Sequence, residues 1–320
     1  MKLTQKDINP FPHTDSNKRY QTYDYYLRTQ FGGNVAKITL DAGFTCPNLD
    51  GTAGVGGCIY CSGRGSGDFS ESSLLPLEEQ YRLQCEKMLK KWDTAKFIPY
   101  LQAHTNTYAS VEKLRGIYQT ALSLPGAVGL SIATRADCLS PDILSLLAEC
   151  AEKTVLTVEL GLQTVHDKTA AFINRGHTYQ TFCEGYHALR GASDKIRIGV
   201  HLINGLPGET REMMLESARE VGGLAPDEVK LHLLYVLKNT KLGELYLDGR
   251  YQPLSLEEYA SITAEQLTLL PKSTVIGRLT GDGAPDDLLA PGWSLKKFVV
   301  MNTIDRYLYE NGLFQGYKRK

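Results

Sequence analysis

Three hundred and twenty residues exceed one small domain but suit a large α/β fold or a barrel, so length alone leaves one domain or two open. Hydrophobic residues at 42% with 22% charged exclude a mainly disordered chain. A formal charge of −1 excludes a strong global field for nucleic acid or anionic membrane, and without a run of about 18 apolar residues or an apolar leader the expected location is the cytoplasm, with no membrane contact.

Taken in chain order, apolar strand-like runs alternate with amphipathic helical stretches. Strands are expected at 35–40, 97–101, 128–132, 155–160, 196–201, 229–234 and 273–277, and helices at 76–91, 111–122, 141–151, 180–192, 210–222, 255–270 and 295–311. Six or seven βα repeats of this kind build a parallel sheet, as a full or partial barrel. Ser140-Pro141 reads as a helix start, because Ser caps the first turn and Pro fits inside it. No linker of biased composition divides the chain, which predicts one domain: an extension at 1–31, a core at 32–253 and a second extension at 254–320.

Charge is uneven across these pieces. The two termini, 1–31 and 296–320, carry +6 together, so the middle carries −7. Tyr20, Tyr23, Tyr25 and Tyr26 beside Lys18 and Arg19, with the closing Tyr317-Lys-Arg-Lys320, can stack on bases and grip phosphates; they can equally pack an arm onto the core and leave the lysines solvated.

Seven cysteines without a secretory leader argue against a disulfide framework. Cys46, Cys58 and Cys61 share one loop after the first strand, rich in glycine, whose backbone wraps closely around a bulky centre and exposes N–H groups to it. Three readings stand on spacing alone: a glycine-rich loop with incidental cysteines, a zinc site, or an iron–sulfur cluster. Structural zinc asks for four protein ligands. A cubic cluster takes one thiolate per iron, so three thiolates leave one iron open. Cys85, Cys138, Cys150 and Cys183 lie on or beside expected helices without paired spacing and read as small hydrophobes.

Further motifs fall at the C-terminal ends of expected strands, where barrel folds collect their chemistry. They are Tyr100-Leu-Gln-Ala-His-Thr-Asn-Thr-Tyr108, Thr134-Arg-Ala-Asp137, Glu159-Leu-Gly-Leu-Gln163, Asn174-Arg-Gly-His-Thr178, Gly205-Leu-Pro-Gly-Glu209 and Arg278-Leu-Thr-Gly-Asp282. With the cysteine loop, these make the chain resemble the radical SAM superfamily. More narrowly, it resembles the YhcC/YtqA-type family, which is similar to the radical SAM half of the Elongator catalytic subunit. The long first gap between cysteines is what that branch shows; the superfamily more often has three residues and then two.

The resemblance implies an α/β fold, a radical SAM partial (β/α)6 TIM-like barrel with N- and C-terminal extensions. It implies a [4Fe-4S] cluster on Cys46, Cys58 and Cys61, with S-adenosyl-L-methionine (SAM) on the open iron, cleaved by one electron to methionine and a 5′-deoxyadenosyl radical. Tyr60 stands where a ring lies beside adenine. His104 and Thr105 stand where the amino group of SAM is received; Gln163 and Arg175, twelve residues apart, where an amide meets the ribose and a guanidinium the carboxylate. His201 occupies the place of an acidic ribose contact, and Ala133 that of a glutamate, so neither of those contacts carries over unchanged. No catalytic residue beyond cluster and SAM is assigned.

The implied substrate is tRNA, with the carboxymethylaminomethyl group on C5 of the wobble uridine converted toward aminomethyl. A flavodoxin or ferredoxin is the implied reductant. The chain leaves no room for an acetyltransferase domain, so acetyl-CoA chemistry is not expected of it. A radical SAM enzyme acting on a small metabolite or peptide, or a noncatalytic metal-binding interaction protein, are the alternatives.

Overall fold

The structure is a computed structural model that describes residues 9–65, 67, 69–90, 93–281 and 283–319. Asp282 and Lys320, named in two of the motifs, and Lys91 lie outside the described residues. The chain forms two compact units, one of residues 27–162 and 170–199, the other of residues up to 26, 163–169 and 200 onward. No described helix is long and apolar enough to cross a membrane.

The first unit carries strands β1 (Ala36–Leu40), β2 (Phe97–Leu101), β3 (Gly129–Thr134) and β4 (Val155–Gln163, to Leu162 here), with the start of β5 (Arg197–Asn204). These strands hydrogen-bond in chain order, and β1 to β4 run parallel. Helices α2 (Leu77–Leu89), α3 (Val111–Ser123), α4 (Pro141–Ala151) and α6 (Tyr179–Ala192) fill the connections. The α/β class and the succession of βα repeats expected of a partial (β/α)6 barrel are both present. Ser110, Ser140 and Thr178 each accept a backbone N–H from the first turn of the helix that follows, which fixes where α3, α4 and α6 begin.

Register explains why one side of this sheet is apolar and the other polar, since aligned residues of parallel neighbours share a face. Leu40, Leu101, Ile132 and Val158 form one row, all fully buried; each contributes about 1.5–3 kcal/mol by leaving water. The opposite face carries the row Thr39, Tyr100, Ser131 and Thr157. One step along on this face, Glu159, 1% exposed, receives Lys37 Nζ at 2.7 Å and the Tyr100 hydroxyl at 2.6 Å. The Lys37 ammonium also lies 4.3 Å from the centre of the Tyr100 ring.

The second unit holds the rest of β5, with β6 (Glu228–Leu233) and β8 (Val275–Arg278) paired in parallel. Helix α7 (Arg211–Leu224) packs on α9 (Leu256–Leu269), which packs on α10 (Lys297–Glu310). Ser255 and Glu258 close a reciprocal capping box at the start of α9. Several short elements were not expected: α1 (Tyr23–Phe31), α5 (Asp167–Phe172), β7 (Val236–Leu237), α8 (Lys241–Leu247) and β9 (Leu288–Ala290). Each is brief, and β7 and β9 exist through pairing with one another, a long-range contact that periodicity does not register.

Here too the termini find their role. Ile276 donates to the Gln21 carbonyl, Gln21 to the Gln315 side chain, and Gln315 in turn to the Arg19 carbonyl, which lays the N-terminal arm along β8. Tyr20 and Arg19 are buried; Lys18 is paired with Asp305, and Arg19 stacks over Tyr309 at 5.2 Å. Arg319 donates to the Gly222 carbonyl. Of the two roles open to the aromatic and basic termini, packing takes these groups.

The buried Lys37–Glu159–Tyr100 network yields a stability prediction. Glu159→Ala leaves a lysine and a phenol without their carboxylate and lowers the unfolding free energy by about 3 kcal/mol. Urea denaturation measures it; a loss under about 0.5 kcal/mol would contradict the role given to this carboxylate.

Candidate functional site

The loop from Cys46 to Cys61 leaves β1 and folds on itself before any partner is considered. Leu49 N–H bonds the Cys46 carbonyl at 2.8 Å, Gly57 N–H the Asn48 carbonyl at 2.9 Å, and Cys61 N–H the Cys58 carbonyl at 3.0 Å. Gly56 and Gly57 both have positive φ, 82° and 73°, and a Cβ at Gly57 would meet Leu49 at 2.9 Å. Glycine is the residue that makes this return affordable.

The Asn174-Arg-Gly-His segment grips that loop. Asn174 Nδ2 donates to the carbonyls of Val55 at 3.0 Å and Gly57 at 2.7 Å, and Ile59 N–H donates to the Ile173 carbonyl at 3.1 Å. In return Asn48 Nδ2 donates to the Asn174 carbonyl and lies 3.7 Å from Cys58 Sγ. Gly176, at φ 82°, allows the close approach, because a Cβ there would stand 2.2 Å from Asn48 Oδ1.

Two arginines brace the same region. Arg135 forms a bidentate pair with Asp137, at 2.9 and 2.7 Å, and donates through Nη1 to the Arg175 carbonyl at 2.7 Å. Arg175 is 1% exposed and holds the carbonyls of His177, at 3.0 and 2.8 Å, and Leu162. Among the described residues, both buried ring nitrogens of His177 lack a hydrogen-bond partner, and Nδ1 lies 4.0 Å from Asp137. Burial and the Arg175 charge push its pKa down to about 3, against the opposing pull of Asp137, so the ring is neutral.

These charges act on the cysteines. The Cys61 thiol bonded to Cys58 brings the Cys58 pKa down to about 7; burial opposes this, and Tyr60, the Arg135 charge and the Asn48 amide assist it. Burial and the two adjacent sulfurs drive the Tyr60 phenol well above its ordinary range. Burial raises the Asp137 pKa, but the ion pair with Arg135 outweighs it and the net direction is down. Cys138, in contrast, is pushed up to about 12 by burial and the Asp137 charge. Burial also raises Cys85 and Cys150.

The loop after β2 closes in from the side. Thr105 N–H bonds the Thr45 carbonyl at 3.2 Å, next to Cys46, and His104 N–H bonds the Gly65 carbonyl at 2.9 Å, beyond Cys61. His104 takes a positive φ of 58°, and burial lowers its pKa against the pull of Asp41. Its ring lines a polar cavity of about 550 Å³ with Asp41, Arg64, Ser70, Glu71 and Ser73. Thus Cys46, Cys58, Cys61, Tyr60, His104, Thr105 and Arg175 all belong to the first unit. Gln163 and His201 belong to the second, where the His201 ring lies 5.0 Å from that of His232 and Glu209 accepts from Thr164.

Among the described residues, no three His, Cys, Asp or Glu side chains converge to hold a single metal ion. The three thiols of Cys46, Cys58 and Cys61 share one loop, and the Cys58 and Cys61 thiols are bonded to each other. The residues that spacing did not single out are Asn48, Arg135 and Asn174. Arg135 and Asn174 sat inside quoted motifs, and Asn48 lies two residues after Cys46 in the cysteine loop.

Two family models and several known proteins match the chain. The family model for the radical SAM superfamily matches residues 52–221, and that for the radical SAM C-terminal domain matches residues 226–310. YtqA of Bacillus subtilis is 44% identical over 96% of this chain and 95% of its own length. The tRNA uridine(34) acetyltransferase of Methanocaldococcus jannaschii is 29% identical over 64% of this chain, which spans only 37% of that protein. Elp3 of Methanocaldococcus infernus shares the fold, with a TM-score of 0.62 at 20% identity over 88% of this chain and 64% of its own.

Cysteine ordinarily titrates near about 8.5, so a folded-state value of about 7 for Cys58 gives a thiolate that is present above that pH and lost as pH falls through it. In the metal-free chain, alkylation of Cys58 followed by peptide mass spectrometry rises with a midpoint near pH 7, and Cys61→Ala moves the midpoint upward. An unmoved midpoint would contradict the Cys61 hydrogen bond as its main cause.

Proposed function

The chain belongs to the radical SAM superfamily, in the branch that holds YtqA, and from that premise we propose that it is a radical SAM enzyme acting on the wobble uridine of tRNA. The observation that carries the reading is the three-thiol loop, tied down by Asn48 and Asn174 beside the buried Arg135 cation. Cys46, Cys58 and Cys61 would hold a [4Fe-4S] cluster, and SAM would occupy the remaining iron. Bound there, cluster and SAM supply a 5′-deoxyadenosyl radical able to take hydrogen from an unactivated carbon.

The chain's own residues supply orientation and dryness. Tyr60, bonded to Cys58, is the proposed ring beside adenine. Thr105 and His104, whose N–H groups bond the carbonyls of Thr45 and Gly65, are the proposed receivers of the amino group of SAM. Arg175 holds its position through the His177 and Leu162 carbonyls, and the carboxylate of SAM is its proposed partner. Gln163 and His201 remain the proposed ribose contacts.

The substrate assignment draws on likeness to a protein named for acting on tRNA uridine 34. The proposed change is carboxymethylaminomethyl to aminomethyl at C5. The radical would take hydrogen from the methylene beside the carboxylate, where donor and acceptor together stabilise the carbon radical left behind. A flavodoxin or ferredoxin of the cytoplasm is the proposed electron source.

Anaerobic reconstitution of the full chain is expected to load iron and sulfide and to release 5′-deoxyadenosine under reduction, and Cys58→Ala to lose both; a Cys58→Ala protein that still cleaves SAM would overturn the assignment. Nucleoside mass spectrometry of tRNA from a deletion strain is expected to show an altered wobble uridine. An unchanged profile would overturn tRNA as the substrate and turn the search to small metabolites and peptides.

A further inference from the structure

Asn48 is fully buried, two residues beyond Cys46, and its side chain is held by geometry on every side. Its amide nitrogen serves two acceptors, Cys58 Sγ at 3.7 Å and the Asn174 carbonyl. Its own carbonyl at the backbone accepts from Gly57, the second glycine of the return. Its side-chain oxygen is buried with no hydrogen-bond partner among the described residues.

That unpartnered oxygen is informative. Leaving a buried amide oxygen unsatisfied costs about 1–3 kcal/mol. Turning the amide over would set this oxygen against a sulfur and a carbonyl, two electron-rich groups, and leave the N–H groups without acceptors. Gly54 and Gly176 close the alternatives, since a Cβ at either would stand 2.6 and 2.2 Å from the same oxygen. The pocket therefore fits an amide of this size with its N–H groups facing Cys58 and Asn174, and leaves no room for a longer side chain.

We propose that Asn48 is a positioning residue that sets the electron affinity of the metal centre bound by Cys58, by donating an N–H to that sulfur. The proposal rests on the cysteine loop holding an iron–sulfur cluster. An N–H directed at a ligand sulfur withdraws negative charge from it and favours the reduced, more negative cluster, so removing the donor makes the centre harder to reduce. Arg135 adds a cation nearby, with Nη2 3.4 Å from where a Gly176 Cβ would stand, and the Tyr60 hydroxyl also bonds Cys58; Asn48 is the amide whose N–H reaches the sulfur.

The test is an EPR-monitored redox titration of anaerobically reconstituted wild type, Asn48→Asp and Asn48→Ser, with iron content and thermal melting recorded alongside. Asn48→Asp keeps the shape, deletes both N–H donors and adds a negative charge; Asn48→Ser shortens the side chain beyond reach of the sulfur. At the ambient potential that half-reduces the wild type, the reduced-to-oxidised ratio is expected to fall about tenfold in Asn48→Asp and by a smaller factor in Asn48→Ser, at wild-type iron content. Equal ratios in proteins of equal iron content would overturn the proposal. So would loss of iron from both variants with unchanged melting, which assigns Asn48 to holding the loop alone. A wild-type chain that takes up no iron would instead overturn the reading of the cysteine loop.

Discussion

The reciprocal hydrogen bonding between two asparagines is the constraint on which the candidate site depends. Asn174 holds the carbonyls of Val55 and Gly57, Asn48 holds the carbonyl of Asn174, and together they tie the cysteine loop to the segment after α5. Neither segment has regular structure of its own there, so its backbone groups need partners from elsewhere. Each supplies the other's. The glycines follow from the same contact: Gly176 and Gly54 have no Cβ because Asn48 occupies that space.

Around this clamp the first unit collects buried charge. Arg135, Arg175, Lys37 and Glu159 are all shielded, and each is answered by carbonyls, a carboxylate, an ammonium or a phenol. Buried charges of this sort are tolerated only when paired. Their placement has a chemical consequence, because the cationic side faces the thiols while the Lys37–Glu159–Tyr100 group stands on the polar face of the sheet. A near-neutral total thus hides a locally positive surrounding for sulfur, which suits an anionic metal–sulfur centre.

Much of the architecture was legible in the order of residues. Alternating apolar runs located β1 to β6 and β8 within a few residues, and Ser140-Pro141 marked the start of α4 as a cap requires. The three cysteines stood out through spacing and neighbouring glycines. What was not legible depends on contacts between distant positions. Asn48 and Asn174 are 126 residues apart and nothing local distinguishes either from a turn asparagine. Lys37 and Glu159 read as ordinary strand charges until register puts them on one face. The basic, tyrosine-rich termini pointed two ways: Lys18, Arg19 and Tyr20 pack, while Tyr317 stays exposed.

On the proposed reading, the clamped cysteine loop holds a cluster with one iron open to SAM. Electron–nuclear double resonance on the reduced, reconstituted chain, with SAM labelled at its amino nitrogen and carboxylate, tests this directly. Hyperfine coupling from both labels is expected, as direct ligation of the open iron requires. A reduced cluster that shows no coupling to either label at saturating SAM would contradict it.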